Sequence, residues 1–225
     1  MDAPLNLADI RREIDALDAQ MRALLLRRAD LVGQVAASKA QSDDTAVLRP
    51  EREAAQMRAL LDWQSEEAPH LAKAGVLAIW REIISMAIAQ QGGLSIHATA
   101  AAMATARAYF GASLNYVECG DATSALQSAA SAENAVAVIA LDEAEAPLDG
   151  QAIFARLPIG AAAEALCYGA ADLLPQEAVT ALVYRAAAFD GDIVLAQLQD
   201  GVLVETNAIG SDAKWGQYRD LGEGA

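Results

Sequence analysis

Between Asn6 and Gly33 neither proline nor glycine interrupts the chain. Apolar residues return there at intervals of three and four: Leu7, Ile10, Ile14, Leu17, Met21, Leu24, Leu25, Ala29, Leu31 and Val32, with Val35 following. That spacing is the signature of one helix face, and it predicts a single helix continuing to about Lys39. A helix of about 33 residues is roughly 50 Å long at 1.5 Å per residue. This exceeds the diameter expected of a domain built from so short a chain. Such a helix needs apolar cover along its whole length, so a dimer or an intertwined bundle is expected.

Helical texture continues to Gly92-Gly93. Gln41-Ser42-Asp43-Asp44-Thr45 reads as a polar loop. Arg49-Pro50-Glu51-Arg52-Glu53 opens a second helix, with proline in the first turn and acids where the helix dipole favours them. It is expected to run to about Gln64, with Ser65–Pro69 as the next connection. A third helix from about His70 carries Leu71, Val76, Ile79, Trp80, Ile83, Ile84 and Ile88 and stops at the paired glycines.

Beyond Gly93 the pattern changes. An alanine-rich helix at about 99–109 is followed by short apolar runs bounded by turn residues: Ala135–Leu141, Ile153–Leu157, Ala165–Gly169, Ala181–Ala187 and Ile193–Gln199. Two alternating runs around Asp200-Gly201 form a hairpin signal. The expected fold class is therefore α+β. An all-helical domain at 1–93 precedes an α/β domain at 94–225, with the boundary at Gly92–Ser95.

Composition narrows the function classes. Hydrophobic residues make up 54% of the chain, which excludes a disordered protein. The apolar runs are too short and too often broken by charge to span a membrane. Met1–Asn6 lacks the basic start and apolar stretch of a signal peptide, so a cytoplasmic protein is expected. A net charge of −15 argues against nucleic acid as a partner. Two cysteines, Cys119 and Cys167, are too few for a disulfide framework. His70 and His97 have no acidic or cysteine neighbours at ligand spacing, so no metal site is expected. No nucleophile elbow, P-loop or dinucleotide fingerprint is present.

The charge is unevenly spread. Residues 1–93 hold 11 basic and 14 acidic groups, whereas residues 94–225 hold 5 and 17. The cations therefore gather on the three helices, and Arg11, Arg28, Lys39 and Arg52, with Glu53 and Gln91, stand out among their residues. Singly, each reads as an ordinary solvated charge; Arg11, for example, has Asp15 four residues on. Together they make a pattern. Leu7-Ala-Asp-Ile-Arg11-Arg-Glu-Ile14-Asp-Ala-Leu17-Asp18, Leu24-Leu25-Leu26-Arg27-Arg28, Val35-Ala-Ala-Ser-Lys39, Arg49-Pro-Glu-Arg52-Glu53 and Ile79-Trp-Arg-Glu-Ile83-Ile84-Ser85-Met-Ala87-Ile-Ala-Gln-Gln91 resemble the all-helical chorismate mutase family over residues 5–92.

The resemblance implies a cofactor-free Claisen rearrangement of chorismate to prephenate, within aromatic amino-acid biosynthesis, in an intertwined homodimer with shared active sites. Such an enzyme must hold two carboxylates in a folded conformer and stabilise negative charge growing on an ether oxygen. Arginine suits the first task through its bidentate fork, and a lysine with a neutral amide suits the second. By resemblance Arg11 and Arg28 bind the carboxylates, Lys39 and Gln91 donate to the ether oxygen, Glu53 lies by the substrate hydroxyl and Arg52 supports the pocket. Two positions depart from the family. Arg49 stands where some members carry an aspartate near the hydroxyl, and Ala87 stands where many carry a small hydroxyl residue.

Helix arithmetic adds a constraint. Arg28 and Lys39 are eleven residues apart, about 1100°, and so face within roughly 20° of each other. Arg11 lies about 25 Å from Arg28 along the axis and roughly 100° around it. One helix cannot bring both to one small ligand, so Arg11 is expected from the second protomer.

The segments Ala104–Gly111, Asp121–Leu126 and Ala135–Glu143 faintly resemble the first lobe of prephenate dehydratase, without its Gly-rich opening strand or its Thr-Arg-Phe segment. The acidic second region is a poor host for a dianion and reads as a degenerate, non-catalytic module. Two other functions compete with the mutase. One is an isochorismate pyruvate lyase on the same helical fold, and the other is a non-catalytic helical dimer that binds a metabolite.

Overall fold

The computed structural model describes residues 6–41, 46–157 and 165–170, together with strands at 192–197, 203–206 and 214–219. An N-terminal helical region is followed by a mixed α/β region, so the fold class is α+β. By packing, the chain divides into two compact units, Met1–Thr45 and Ala46–Ala225.

The first unit is one helix, α1, spanning Leu7–Lys39 as its spacing predicts. The Asn6 side chain caps its start by accepting from the backbone N–H groups of Ala8 and Asp9, each at 3.0 Å. Arg12 pairs with Asp9 within the first turns. Lys39 falls in the last turn, where the helix dipole favours a cation. None of its residues is buried. Leu7, Ile10, Ile14, Leu17, Met21, Leu24, Leu31 and Val35 are each at least 41% exposed and follow one another at strict intervals of three and four, with Arg28 occupying the place between Leu24 and Leu31. That is the seam spacing of a helix that packs lengthwise against another.

In the second unit, α2 (Pro50–Glu67) and α3 (Lys73–Gln90) precede a βαβαβ run: β1 (Ser95–Thr99), α4 (Met103–Phe110), β2 (Asn115–Cys119), α5 (Ala122–Ala130) and β3 (Ala135–Ala140). The strands β4 (Gln151–Leu157), β5 (Ala165–Ala170), β6 (Asp192–Gln197), β7 (Leu203–Thr206) and β8 (Lys214–Arg219) follow. All eight join one sheet in the order β2-β1-β3-β5-β4-β8-β6-β7. β1 pairs in parallel with β2 and β3, while β5 runs antiparallel to β3 and β4.

The sequence of β3, Ala-Val-Ala-Val-Ile-Ala, explains the layering. A strand sends successive side chains to opposite faces. Val136, Val138 and Ala140 pack with Ala102 at the N-cap of α4 and with Ala106 and Phe110 within it, whereas Ala137 and Ile139 pack with Ala125, Leu126 and Ala129 of α5. Both faces are covered, which is why the strand is apolar throughout rather than alternating. The α4 face also receives α2 and α3: Met57, Leu60, Val76, Ile84 and Ile88 share one core with Ile96, Val138, Phe154 and Leu157. Packing is thus continuous across Gly92-Gly93, where the composition changes.

Several expected bounds shift. α2 runs to Glu67 rather than Gln64, because Gln64 turns its side-chain amide back to the carbonyl of Leu71 at 2.9 Å and so secures the end of the helix. α3 begins at Lys73 rather than His70. The alanine-rich helix is confined to Met103–Phe110, since Ser95–Thr99 is drawn into the sheet between β2 and β3 as β1. The expected hairpin is present as antiparallel β6 and β7, with Gln197 opposite Leu203. Its Asp200-Gly201 tip, the run Ala181–Ala187 and most of the 41–45 loop lie outside the described residues.

Candidate active site

Arg11, Arg28 and Lys39 all lie on α1, in the unit Met1–Thr45. The helix is unbroken between them. At 1.5 Å per residue this puts the Arg11 and Arg28 backbones about 25 Å apart, so the two cannot reach one small molecule from the same helix.

The other named residues belong to the second unit. Arg49 occupies the N-cap position of α2 and supplies the carbonyl that receives the Glu53 N–H at 2.9 Å. Pro50 follows, with its missing N–H at a position where no helical bond is due. Arg52 points outward and is exposed, whereas Glu53, one residue on, is 7% exposed. Its carboxylate Oε2 accepts from Arg81 Nη1 at 2.9 Å, across from α2 to α3. Burial pushes the Glu53 carboxyl above its ordinary range, and the Arg81 charge pulls it partly back.

At the other end of α3, Gln91 forms the C-cap, and Gly92 and Gly93 continue with φ of 122° and 81°. Only glycine adopts such angles without strain, and this is why the helix stops there. Gln91 Nε2 donates to the carbonyl of Ala87 at 3.0 Å, and Ala87 itself is buried. The second unit therefore brings Glu53 together with Arg81, and Gln91 together with Ala87.

Arg81 is the residue that sequence reasoning passed over. It stands in the apolar run Ile79–Ile84 beside Glu82 and resembles one more surface charge. Its helical spacing held the signal: positions 81, 84, 85 and 88 share one face, and all four are buried. The arginine is 5% exposed, and its guanidinium carbon lies 4.1 Å from the centre of the Tyr109 ring on α4. Burial works to lower the Arg81 pKa, but Tyr109 and Glu53 together raise it, so the guanidinium stays charged. The Tyr109 hydroxyl is pushed up to about 12, chiefly by burial.

Among the described residues no three histidine, cysteine or acidic side chains gather as a metal-holding group. No helix described is long and apolar enough to cross a membrane.

Comparison with known proteins bears on the helical region. Residues 10–92 match the family model of chorismate mutase type II. No curated protein and no solved structure matches the chain. The match ends at Gly92, one residue past the C-cap of α3, and the expected likeness of residues 94–225 to a prephenate dehydratase lobe finds no support in any comparison.

Proposed function

We propose that this chain converts chorismate to prephenate in a pocket assembled from two copies of itself. The observation that carries the reading is the chorismate mutase type II match, which spans every one of the proposed site residues from Arg11 to Gln91. Residues 1–93 form the mutase portion and residues 94–225 touch no reacting atom. A small soluble dicarboxylate as substrate suits a cytoplasmic enzyme.

The reaction breaks the ether C–O bond as a new C–C bond forms, with no change in composition, no proton transfer and no cofactor. What the protein must supply is conformation and charge. Arg11 of one copy and Arg28 of the other each clamp a carboxylate through two hydrogen bonds, fixing the side chain over the ring. Lys39 and Gln91 donate to the ether oxygen, where negative charge grows only in the transition state. Glu53 accepts from the substrate hydroxyl, Arg52 adds positive potential, and Arg49 and Ala87 line the pocket.

The exposed seam of α1 supports the two-copy arrangement. Moving a large aliphatic side chain from water into an interface is worth roughly 1.5–3 kcal/mol. Eight such side chains in line, with Arg28 among them, would make a strong interface between copies, and it would deliver the arginine into that interface.

The nearest rival is an isochorismate pyruvate lyase, which breaks the same bond without forming the new one. Chorismate and isochorismate given to separate samples of the protein discriminate them. Prephenate from the first and no pyruvate from the second supports the mutase; pyruvate from the second with chorismate untouched assigns the lyase.

A further inference from the structure

Four side chains from three helices stack beneath the α2–α3 pair. Phe110, 3% exposed, meets the Tyr109 ring edge-on, with centroids 4.7 Å apart and planes at 80°. The face of Tyr109 lies against the Arg81 guanidinium at 4.1 Å, and Arg81 holds Glu53 Oε2 at 2.9 Å. Tyr109 and Phe110 come from α4, beyond Gly93, whereas Glu53 is the proposed acceptor for the substrate hydroxyl.

The energetics of this stack are unfavourable for a purely structural role. Arg81 and Glu53 side chains are 5% and 9% exposed, and desolvating two such charges costs more than an apolar pair of the same size would. Arg81 Nε and Nη2 are buried without a hydrogen-bond acceptor. One carboxylate oxygen does not by itself fix a guanidinium, and Tyr109 completes the hold through its ring face and its hydroxyl. Arg81 engages only Oε2 in this pairing. The geometry thus fixes the direction of the carboxylate.

We propose that Arg81 and Tyr109 are positioning residues for Glu53, so that the α/β region sets the geometry of the helical active site. The proposal rests on the mutase reading for the role of Glu53. It makes the α/β region necessary for full activity although none of its side chains touches substrate.

The test uses the full chain and the variants Arg81→Lys, Tyr109→Leu, Tyr109→Phe and Glu53→Gln. Each is checked for a wild-type-like thermal transition. The Glu53 carboxyl is followed by ¹³C NMR, its line assigned by its loss in Glu53→Gln. Arg81→Lys and Tyr109→Leu should lose roughly 10–100-fold in kcat/KM, with KM raised as the hydroxyl contact loosens and kcat lowered as the bound substrate is held out of line. The Glu53 line should move in the same two variants. Tyr109→Phe keeps the ring face but loses the hydroxyl, so its line and its kcat should both fall between those of the wild type and Tyr109→Leu. Unchanged kcat and an unmoved line in Tyr109→Leu would overturn the proposal, as would equal losses in Tyr109→Leu and Tyr109→Phe. If the wild type fails to convert chorismate, the mutase reading falls, and the Glu53 line alone decides whether Arg81 and Tyr109 position the carboxylate.

Discussion

Gln91 turns its side-chain amide onto the carbonyl of Ala87, 3.0 Å away and one turn earlier in α3. The bond ties the side chain to its own helix, and in the proposed site it is the second N–H of Nε2 that donates to the ether oxygen. A donor fixed in advance costs no reorganisation when charge develops, which is how such groups stabilise a transition state. Gln91→Ala and Lys39→Ala should therefore each lose about 10²–10³-fold in kcat, the usual effect of removing one such donor. Steady-state kinetics check this. A raised KM at unchanged kcat would assign the two groups to ground-state binding instead.

The separation of Arg11 and Arg28 on one unbroken helix gives a second expectation. Arg11→Ala and Arg28→Ala homodimers should both be nearly inactive. Unfolding and refolding them together makes about half the dimers mixed, each with one pocket holding both arginines, so roughly a quarter of wild-type activity should return. No recovery from properly refolded mixed dimers would mean that both arginines serve a pocket of one chain.

Gly111 tests the packing that holds α3 to the α/β region. Its φ is +78°, and a Cβ placed there would lie 2.5 Å from Glu82 Oε2 and 2.8 Å from Ser85 Cβ. Glu82 also accepts from the Ala112 N–H and the Ser113 hydroxyl, both at 2.7 Å, so it has little room to retreat. Gly111→Ala should destabilise the protein by roughly 1–3 kcal/mol, by overpacking and strain together. The urea midpoint reads it.

The pH dependence of stability should carry a signature of His97. Burial holds this imidazole below its ordinary value of 6.5, and Nδ1 is engaged with the Ser128 hydroxyl at 2.8 Å. A depressed pKa means that the unfolded chain takes up the proton first as pH falls. The stability His97 contributes is therefore present above about pH 6.5 and lost as pH drops through the folded value. Urea melts on either side of that pH should show a loss at the acid side, and His97→Gln should flatten it.

Much of this architecture is legible in the sequence where a single face decides it. α1 is legible because the three-and-four spacing runs unbroken from Leu7 to Val35, and β6 and β7 pair because alternation flanks Asp200-Gly201. The rest depends on partners that periodicity does not show. Ser95–Thr99, with three polar residues in five, is an interior strand because parallel neighbours on both sides satisfy its backbone. Arg81 looked like a surface charge until Glu53 and Tyr109, 28 residues away on either side, closed around it. The continuity of the core across Gly93 was hidden for the same reason: local texture changes there, but Met57, Ile84 and Ile88 face the sheet.

The most direct measurement follows chorismate carrying ¹³C in its enolpyruvyl group, incubated with the full-length, chelator-treated protein. The ring C–O bond should break with the oxygen kept on the labelled side chain as its keto group, and the side chain's ¹³C methylene should become bonded to the ring, one for one with chorismate lost. Lys39→Ala should slow the transfer about 10²–10³-fold. Label recovered as free pyruvate, or chorismate left unconsumed by the folded wild-type protein, would contradict the account.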